Sequence, residues 1–364
     1  MTEIPPDNPP ENAQFSGRGL AEELSAAGEE LNADTGVEQT SRDGPPIFFA
    51  GGLGYDANRN LFTLSEISAR GHNVLPPLRD PLPGEVDPGF SVTENGETRQ
   101  ASRKETLAVA HRPEIELSVA HYQQKRAELL IETLDSAGIG RIDAIFQSAD
   151  TLMGILAAHQ RPDLFADLVL AYPVLGEAPD MTDKGLIARV VAEEALTRLR
   201  REHRANRKEY SFEDRLSRLR AARESRATKT PMGGSVIYSV GSSKQSPLLH
   251  ELRQREAAPG VGILIGTDDI MLSPKRILAS IQAPEDVDAI MVVNTPHGMN
   301  GRGDVLDDAL ELLRLTKQEK ARRLGSGTRI PFVNRLFFAR DVSDTARNEI
   351  TLLARATDTR LGGE

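Results

Sequence analysis

The chain has 364 residues, of which 39% are hydrophobic and 27% charged, and its formal net charge is -10. That size suits one large domain with insertions or tails and a sizeable buried core, while the acidic balance without a basic, aromatic-rich surface argues against a nucleic-acid partner. The absence of cysteine rules out disulfides and thiolate metal sites; with no run of about 18 apolar residues and no basic start or apolar core of a signal peptide at the N-terminus, a cytoplasmic, non-membrane protein is expected.

Residues 1–44 carry ten acidic side chains against two basic ones, with many Pro, Asn and Gly. Such a segment cannot bury enough apolar surface to offset its ordering entropy, so a disordered acidic tail is expected, with a transient helix around Leu20 to Leu31. The apolar run Ile47 to Ala50, closed by Gly51-Gly52-Leu53-Gly54, predicts a buried strand ending in a flexible turn. A helix follows over Asn58 to Ala69, and Val74-Leu75 begins a second strand. Residues 78–113 are polar, with turn signals at Pro81 to Gly84 and at Asn95-Gly96, and predict a long excursion over the top of the sheet.

From Glu116 to Ser136 the apolar positions Val119, Tyr122, Leu129, Leu130 and Leu134 recur at near-helical intervals, and Gly138 and Gly140 end that helix. The stretch from Arg141 to Pro173 then reads as strand (Ile142 to Phe146), tight turn, helix (through Leu152, Ile155 and Leu156) and strand (Leu168 to Ala171). Residues 184–229 break the rhythm with fourteen basic and seven acidic side chains in a helix-favouring insertion. The sheet pattern resumes at Gly262 to Ile265, passes through a helix over Pro274 to Ile281, and reaches a strand at Ala289 to Val293 and a helix at Val305 to Leu315. Residues 317–364 form a basic-leaning extension holding a short apolar stretch, Ile330 to Phe338. Strands alternating with helices predict an α/β fold, a mostly parallel central sheet with helices on both faces.

Three chemistry-bearing residues follow three of these strands in the order Ser148, Asp269, His297. Each lies just past the C-terminal end of its strand, the edge of an open parallel sheet where ligands bind. A hydroxyl is a poor nucleophile until an imidazole takes its proton, and the imidazole needs a carboxylate to fix its tautomer. Asp268 is the alternative for the acid. Blander readings exist for each residue alone. Ser148 is also a fitting helix N-cap, Asp268 and Asp269 fitting turn residues, and His297, between Pro296 and Gly298, a fitting loop residue. Gly51, Gly52 and Gly54 resemble a phosphate-cradling loop only weakly, without a lysine or acidic partner at the expected spacing. The remaining six histidines are scattered, and neither a metal nor a cofactor is expected.

At these residues the chain resembles the α/β-hydrolase family, over residues 45–176 and 236–316. The matching pieces are IFFAGGLG, IDAIFQSADTLMGILAAHQRPDLFADLVLAYP, GILIGTDDI and NTPHG. The resemblance implies Ser148 as nucleophile, His297 as general base, Asp269 as orienting acid, and the backbone amides of Gly52 and Ala149 as oxyanion hole. It also implies a core over 45–183 and 230–316, with the charged insertion 184–229 as a helical cap and 317–364 as a C-terminal extension. The family's elbow is usually Gly-x-Ser-x-Gly; here Phe146 and Asp150 replace both glycines, and Ala50 stands where a histidine is common. Hydrolysis of an ester-like or amide-like small molecule through an acyl-serine is the expected function. The alternative is a catalytically inactive binding or scaffolding protein, and the same triad also serves carbon-carbon bond hydrolysis or a cofactor-free peroxidase reaction. The insertion's excess of positive charge reads as a solvated helical surface, or as an attractor for an anionic substrate or for the acidic tail.

Overall fold

The computed structural model of the protein describes residues 44–52, 57–75, 91–94, 97–100, 116–118, 121–175, 245–269, 272–295, 303–326 and 330–362. The expected tail (to residue 43), the cap insertion 184–229 and His297 lie outside these residues. The described strands are β1 (Ile47–Ala50), β2 (Ser91–Glu94), β3 (Glu97–Gln100), β4 (Glu116–Ser118), β5 (Ile142–Gln147), β6 (Phe165–Ala171), β7 (Gly260–Gly266), β8 (Ala289–Val293) and β9 (Leu336–Phe338). The helices are α1 (Ala57–Ala69), α2 (His121–Ser136), α3 (Asp150–Gln160), α4 (Gln245–Arg253), α5 (Pro274–Ser280), α6 (Gly303–Ser326) and α7 (Asp344–Arg360).

Six strands form one sheet in the order β1-β5-β6-β7-β8-β9, and every neighbouring pair is parallel. All residues of β1 and of β5 to β8 are buried. This explains why those segments are nearly continuous apolar runs instead of alternating ones, since a parallel sheet is covered on both faces. Helix α6 packs on β6, β7 and β8, and α3 packs on β5 and β6. The fold is α/β, as the alternation of elements predicts.

Val74 makes a parallel bridge to Ile47 on the side of β1 away from β5. The chain therefore leaves β1 first toward one edge of the sheet and later toward the other, which makes the β1–β5 boundary its topological switch point. Crevices at such points, outside the carboxyl ends of the strands, are where open α/β sheets bind ligands. Gly51-Gly52 leaves β1 there and Ser148 leaves β5, with Ala50 and Phe146 in register.

Two expectations change in detail. The helix expected from Glu116 starts only at His121, because residues 116–118 are drawn into strand β4, antiparallel to β2, with Leu117 opposite Val92. With β2 and β3, which fall within the expected excursion 78–113, they form a small antiparallel sheet, and the Asn95-Gly96 signal falls between β2 and β3. A strand partner distant in sequence outweighs a weak local helix preference.

The helix expected over Val305 to Leu315 runs on to Ser326, and the extension beyond it belongs to the sheet: Leu336–Phe338 is its sixth strand, beside β8. The basic side chains explain this. Lys317, Lys320 and Arg323 on α6 pair with Asp143, Asp167 and Asp288 at the starts of β5, β6 and β8. Arg335 donates to the carbonyls of Pro284 and Val287. Burial pushes the Asp143 and Asp167 carboxyls above their ordinary range, and the lysines partly counter it. The amino ends of the strands are thus closed by ion pairs, which leaves the carboxyl ends for chemistry. Among the described residues no helix is long and apolar enough to cross a membrane.

Candidate active site

Ser148 has φ +54, in the left-handed region that L-residues other than Asn and Asp rarely enter. The N-cap of α3 is Ala149 at φ -59, and no side chain caps that helix. An N-cap serine needs an extended backbone and a hydroxyl accepting from the first turn, so the structure removes the capping explanation. The backbone of Ser148 is fixed from both sides: its N–H donates to Ala171 O on β6 (2.8 Å), and its carbonyl accepts from Thr151 Oγ1 (2.6 Å). A half-buried serine is thereby held in a strained strand-to-helix turn above the switch point.

The two residues that replace the elbow glycines are accommodated separately. Phe146 is fully buried, and its ring lies directly over Gly154 on α3, where an added Cβ would come within 2.3 Å of the ring. The missing side chain at 154 makes the space that a glycine at 146 would otherwise leave. In an exposed helix Gly→Ala gains about 1 kcal/mol. Here Gly154→Ala is expected to cost about 1–3 kcal/mol by overpacking. Urea unfolding checks the sign, and a stabilised variant would refute the packing argument.

Asp150 is 2% exposed. It pairs with Arg126 on α2, accepts from Gln123 Nε2 (3.0 Å), and accepts from the Gly52 N–H (3.0 Å). Gln123 Nε2 also donates to the carbonyl of Ala149 (3.0 Å). Gly52 sits at φ +81, and a Cβ there would approach Gln147 O to 2.5 Å and Ser148 Cβ to 3.1 Å, so the glycine loop is pressed against the elbow. The neighbouring Gly51 N–H donates to Asn60 Oδ1 on α1 (3.1 Å). Of the two amides expected to form the oxyanion hole, that of Gly52 therefore donates its hydrogen bond to the Asp150 carboxylate. The Ala149 N–H, at the start of α3, makes no hydrogen bond among the described residues.

After β7 the two adjacent carboxylates separate by environment. Asp269 is 2% exposed and accepts from the Leu272 N–H (2.8 Å), whereas Asp268 is exposed and uses its N–H to reach Thr295 O (3.2 Å). Thr295 follows β8 and stands two residues before His297, which lies outside the described residues. The turn bearing Asp269 and the segment leading to His297 are thus hydrogen-bonded neighbours. Among the described residues no three His, Asp or Glu side chains gather where they could hold a metal ion.

Sequence reasoning missed Gln123, Arg126 and Asn60. Arg126 had a signal: it falls between Tyr122 and Leu130 on the apolar stripe of α2, four residues from each. A cation on a buried stripe calls for a buried anion.

No protein-family profile and no curated protein matches the chain. Solved structures do resemble it. An enol-lactonase from Burkholderia xenovorans LB400 is 12% identical, with 75% of this chain and 92% of that chain covered and a TM-score of 0.43. A structure from a study of carboxylesterases of the thaumarchaeon Nitrososphaera gargenis is 15% identical, with 77% and 93% covered and a TM-score of 0.44. An α/β hydrolase enzyme from a Medee basin deep-sea metagenome library is 14% identical, with 75% and 90% covered and a TM-score of 0.39.

Proposed function

We propose that this chain is a serine hydrolase that cleaves an ester-like or amide-like small molecule through an acyl-serine intermediate. The observation that carries the reading is Ser148 at φ +54 on the turn above the β1–β5 switch point. Strain of this kind persists only where the surroundings enforce it, and it clusters at reactive sites.

In this mechanism Ser148 Oγ attacks the substrate carbonyl carbon while His297 takes its proton. The tetrahedral intermediate collapses, His297 returns the proton to the leaving group, and the acyl-serine remains. Water then repeats the sequence: His297 deprotonates it, it attacks the acyl carbon, and the Ser148–acyl bond breaks with the proton returned to Ser148 Oγ. Asp269, the buried member of its pair, orients His297 and steadies its positive charge. The Ala149 N–H and the Gly52 N–H serve the oxyanion, each donor contributing about 2.7–4 kcal/mol of transition-state stabilisation. Gly52 must exchange Asp150 for the oxyanion to do so. Asp150 keeps Arg126 and Gln123 when that happens, so its charge stays paired.

A second reading, an inactive binding or scaffolding protein on the same fold, draws on one observation: the Gly52 N–H is already given to Asp150. A fluorophosphonate probe decides between the two. Labelling mapped to the peptide containing Ser148, and absent from Ser148→Ala, is the expected result. A folded protein that stays unlabelled supports the scaffold.

A further inference from the structure

Ser148 and Tyr172 are the two non-glycine residues with positive φ among the described residues, at +54 and +53. They end neighbouring parallel strands, and the Ser148 N–H donates to the carbonyl of Ala171, the residue before Tyr172. The first strain is absorbed by the proposed function; the second is not. Tyr172 is fully buried and spans toward the other two functional turns. Its N–H donates to Leu264 O on β7 (2.9 Å), its ring edge faces Gly266 at the end of β7, and its hydroxyl shares a hydrogen bond with Thr295 Oγ1 (2.7 Å) after β8.

Gly266 shows how close this packing is. A Cβ there would lie 2.4 Å from Thr295 O and 3.0 Å from Tyr172 Cε1. Thr295 O accepts from the Asp268 N–H, and the Thr267 N–H donates to Val293 O (2.9 Å). One buried phenol therefore ties the strand end beside Ser148 to the turn bearing Asp269 and to the segment leading to His297. Apolar packing of the ring would need neither the hydroxyl pairing nor a left-handed backbone. The hydroxyl is the only part of the side chain that fixes Thr295 by a directional bond.

We propose that Tyr172 is a positioning residue for this site: through Thr295 it sets the acid turn and the end of the segment leading to His297 against the nucleophile turn. The inference rests on the serine-hydrolase reading above. Its test is the kinetics of fluorophosphonate labelling on the full chain, with Tyr172→Phe, Thr295→Val and Thr295→Ser beside the unaltered protein. Loss of a directional constraint that misplaces reacting groups by a fraction of an ångström costs roughly ten- to a hundredfold in rate. Tyr172→Phe and Thr295→Val are expected to lower the labelling rate at saturating probe by that factor, with the half-saturating probe concentration unchanged and Tm within a few degrees. Thr295→Ser, which keeps the hydroxyl, is expected to retain the rate. Tyr172→Phe labelled at the unaltered rate would overturn the proposal, and so would Thr295→Ser labelled as slowly as Thr295→Val. If the unaltered chain is not labelled at Ser148, the hydrolase reading itself fails and the inference goes with it.

Discussion

Ser148→Gly is expected to be unreactive toward a fluorophosphonate and, at the same time, more stable than Ser148→Ala by about 1 kcal/mol. Both substitutions remove the hydroxyl, so both abolish the proposed chemistry. They differ in the backbone. At φ +54 an L-residue carries a steric cost of about 1–2 kcal/mol that glycine does not. Glycine loses about 0.4–1 kcal/mol of that advantage through the greater freedom of its unfolded chain. The remainder favours glycine, whereas at an ordinary helical or extended position the order would be reversed. Urea denaturation of the two variants, side by side, reads the difference directly. An alanine variant as stable as the glycine variant would mean that the turn relaxes in solution, and the observation on which the hydrolase reading depends would be lost.

The second large effect is expected at Asp150. Removing one partner of a buried ion pair is strongly destabilising, by about 3–5 kcal/mol, and Arg126 is only 8% exposed at its side chain. Asp150→Ala also strands the Gly52 N–H and leaves Gln123 Nε2 with the Ala149 carbonyl in place of two acceptors. Since whole domains are stable by about 5–15 kcal/mol, the variant is expected to unfold far earlier in urea or on heating. Asp150→Gly, although it restores the usual spelling of the elbow, is expected to suffer in the same way. Glycine at that position suits an elbow with nothing charged beneath it, and here Arg126 lies beneath. The double variant Asp150→Ala with Arg126→Met is expected to recover much of the loss, because it removes the buried cation together with the carboxylate that pairs with it. Should Asp150→Ala lose less than about 1 kcal/mol, the pair would be behaving as a solvated surface contact and the clamp on the glycine loop would be void.

These two residues also separate what was legible in the chain from what was not. The runs that become β5, β6, β7 and β8 are largely apolar because each is buried on both faces, and burial of an element by itself is written in its own residues. The same holds for the extent of α1, for the presence of α3 and for the placing of Ser148 at a turn between strand and helix. The order Ser148, Asp269, His297 is a proposal from the sequence that rests on parallel topology putting successive carboxyl ends at one edge, a rule that needs no coordinates. What could not be read is whatever depends on the identity of a distant partner. Residues 116–118 carry a helical pattern yet become a strand because β2 offers a partner. The extension after residue 316 looked merely basic until its lysines and arginines met the carboxylates at the starts of β5, β6 and β8.

The chain by itself, then, determined its α/β class, the succession of β1 and β5 to β8 and the serine at the bend, since these follow from periodicity and from backbone preferences that act over a few neighbouring residues. Tertiary structure alone decided that Phe146 has room because residue 154 is glycine, that Asp150 is held by Arg126 and in turn holds Gly52 across 98 residues, and that Tyr172 is bent into a left-handed conformation beneath Thr295. Buried polar groups must be satisfied, but any of many side chains can satisfy them. Only the packing of elements far apart in sequence selects which one does.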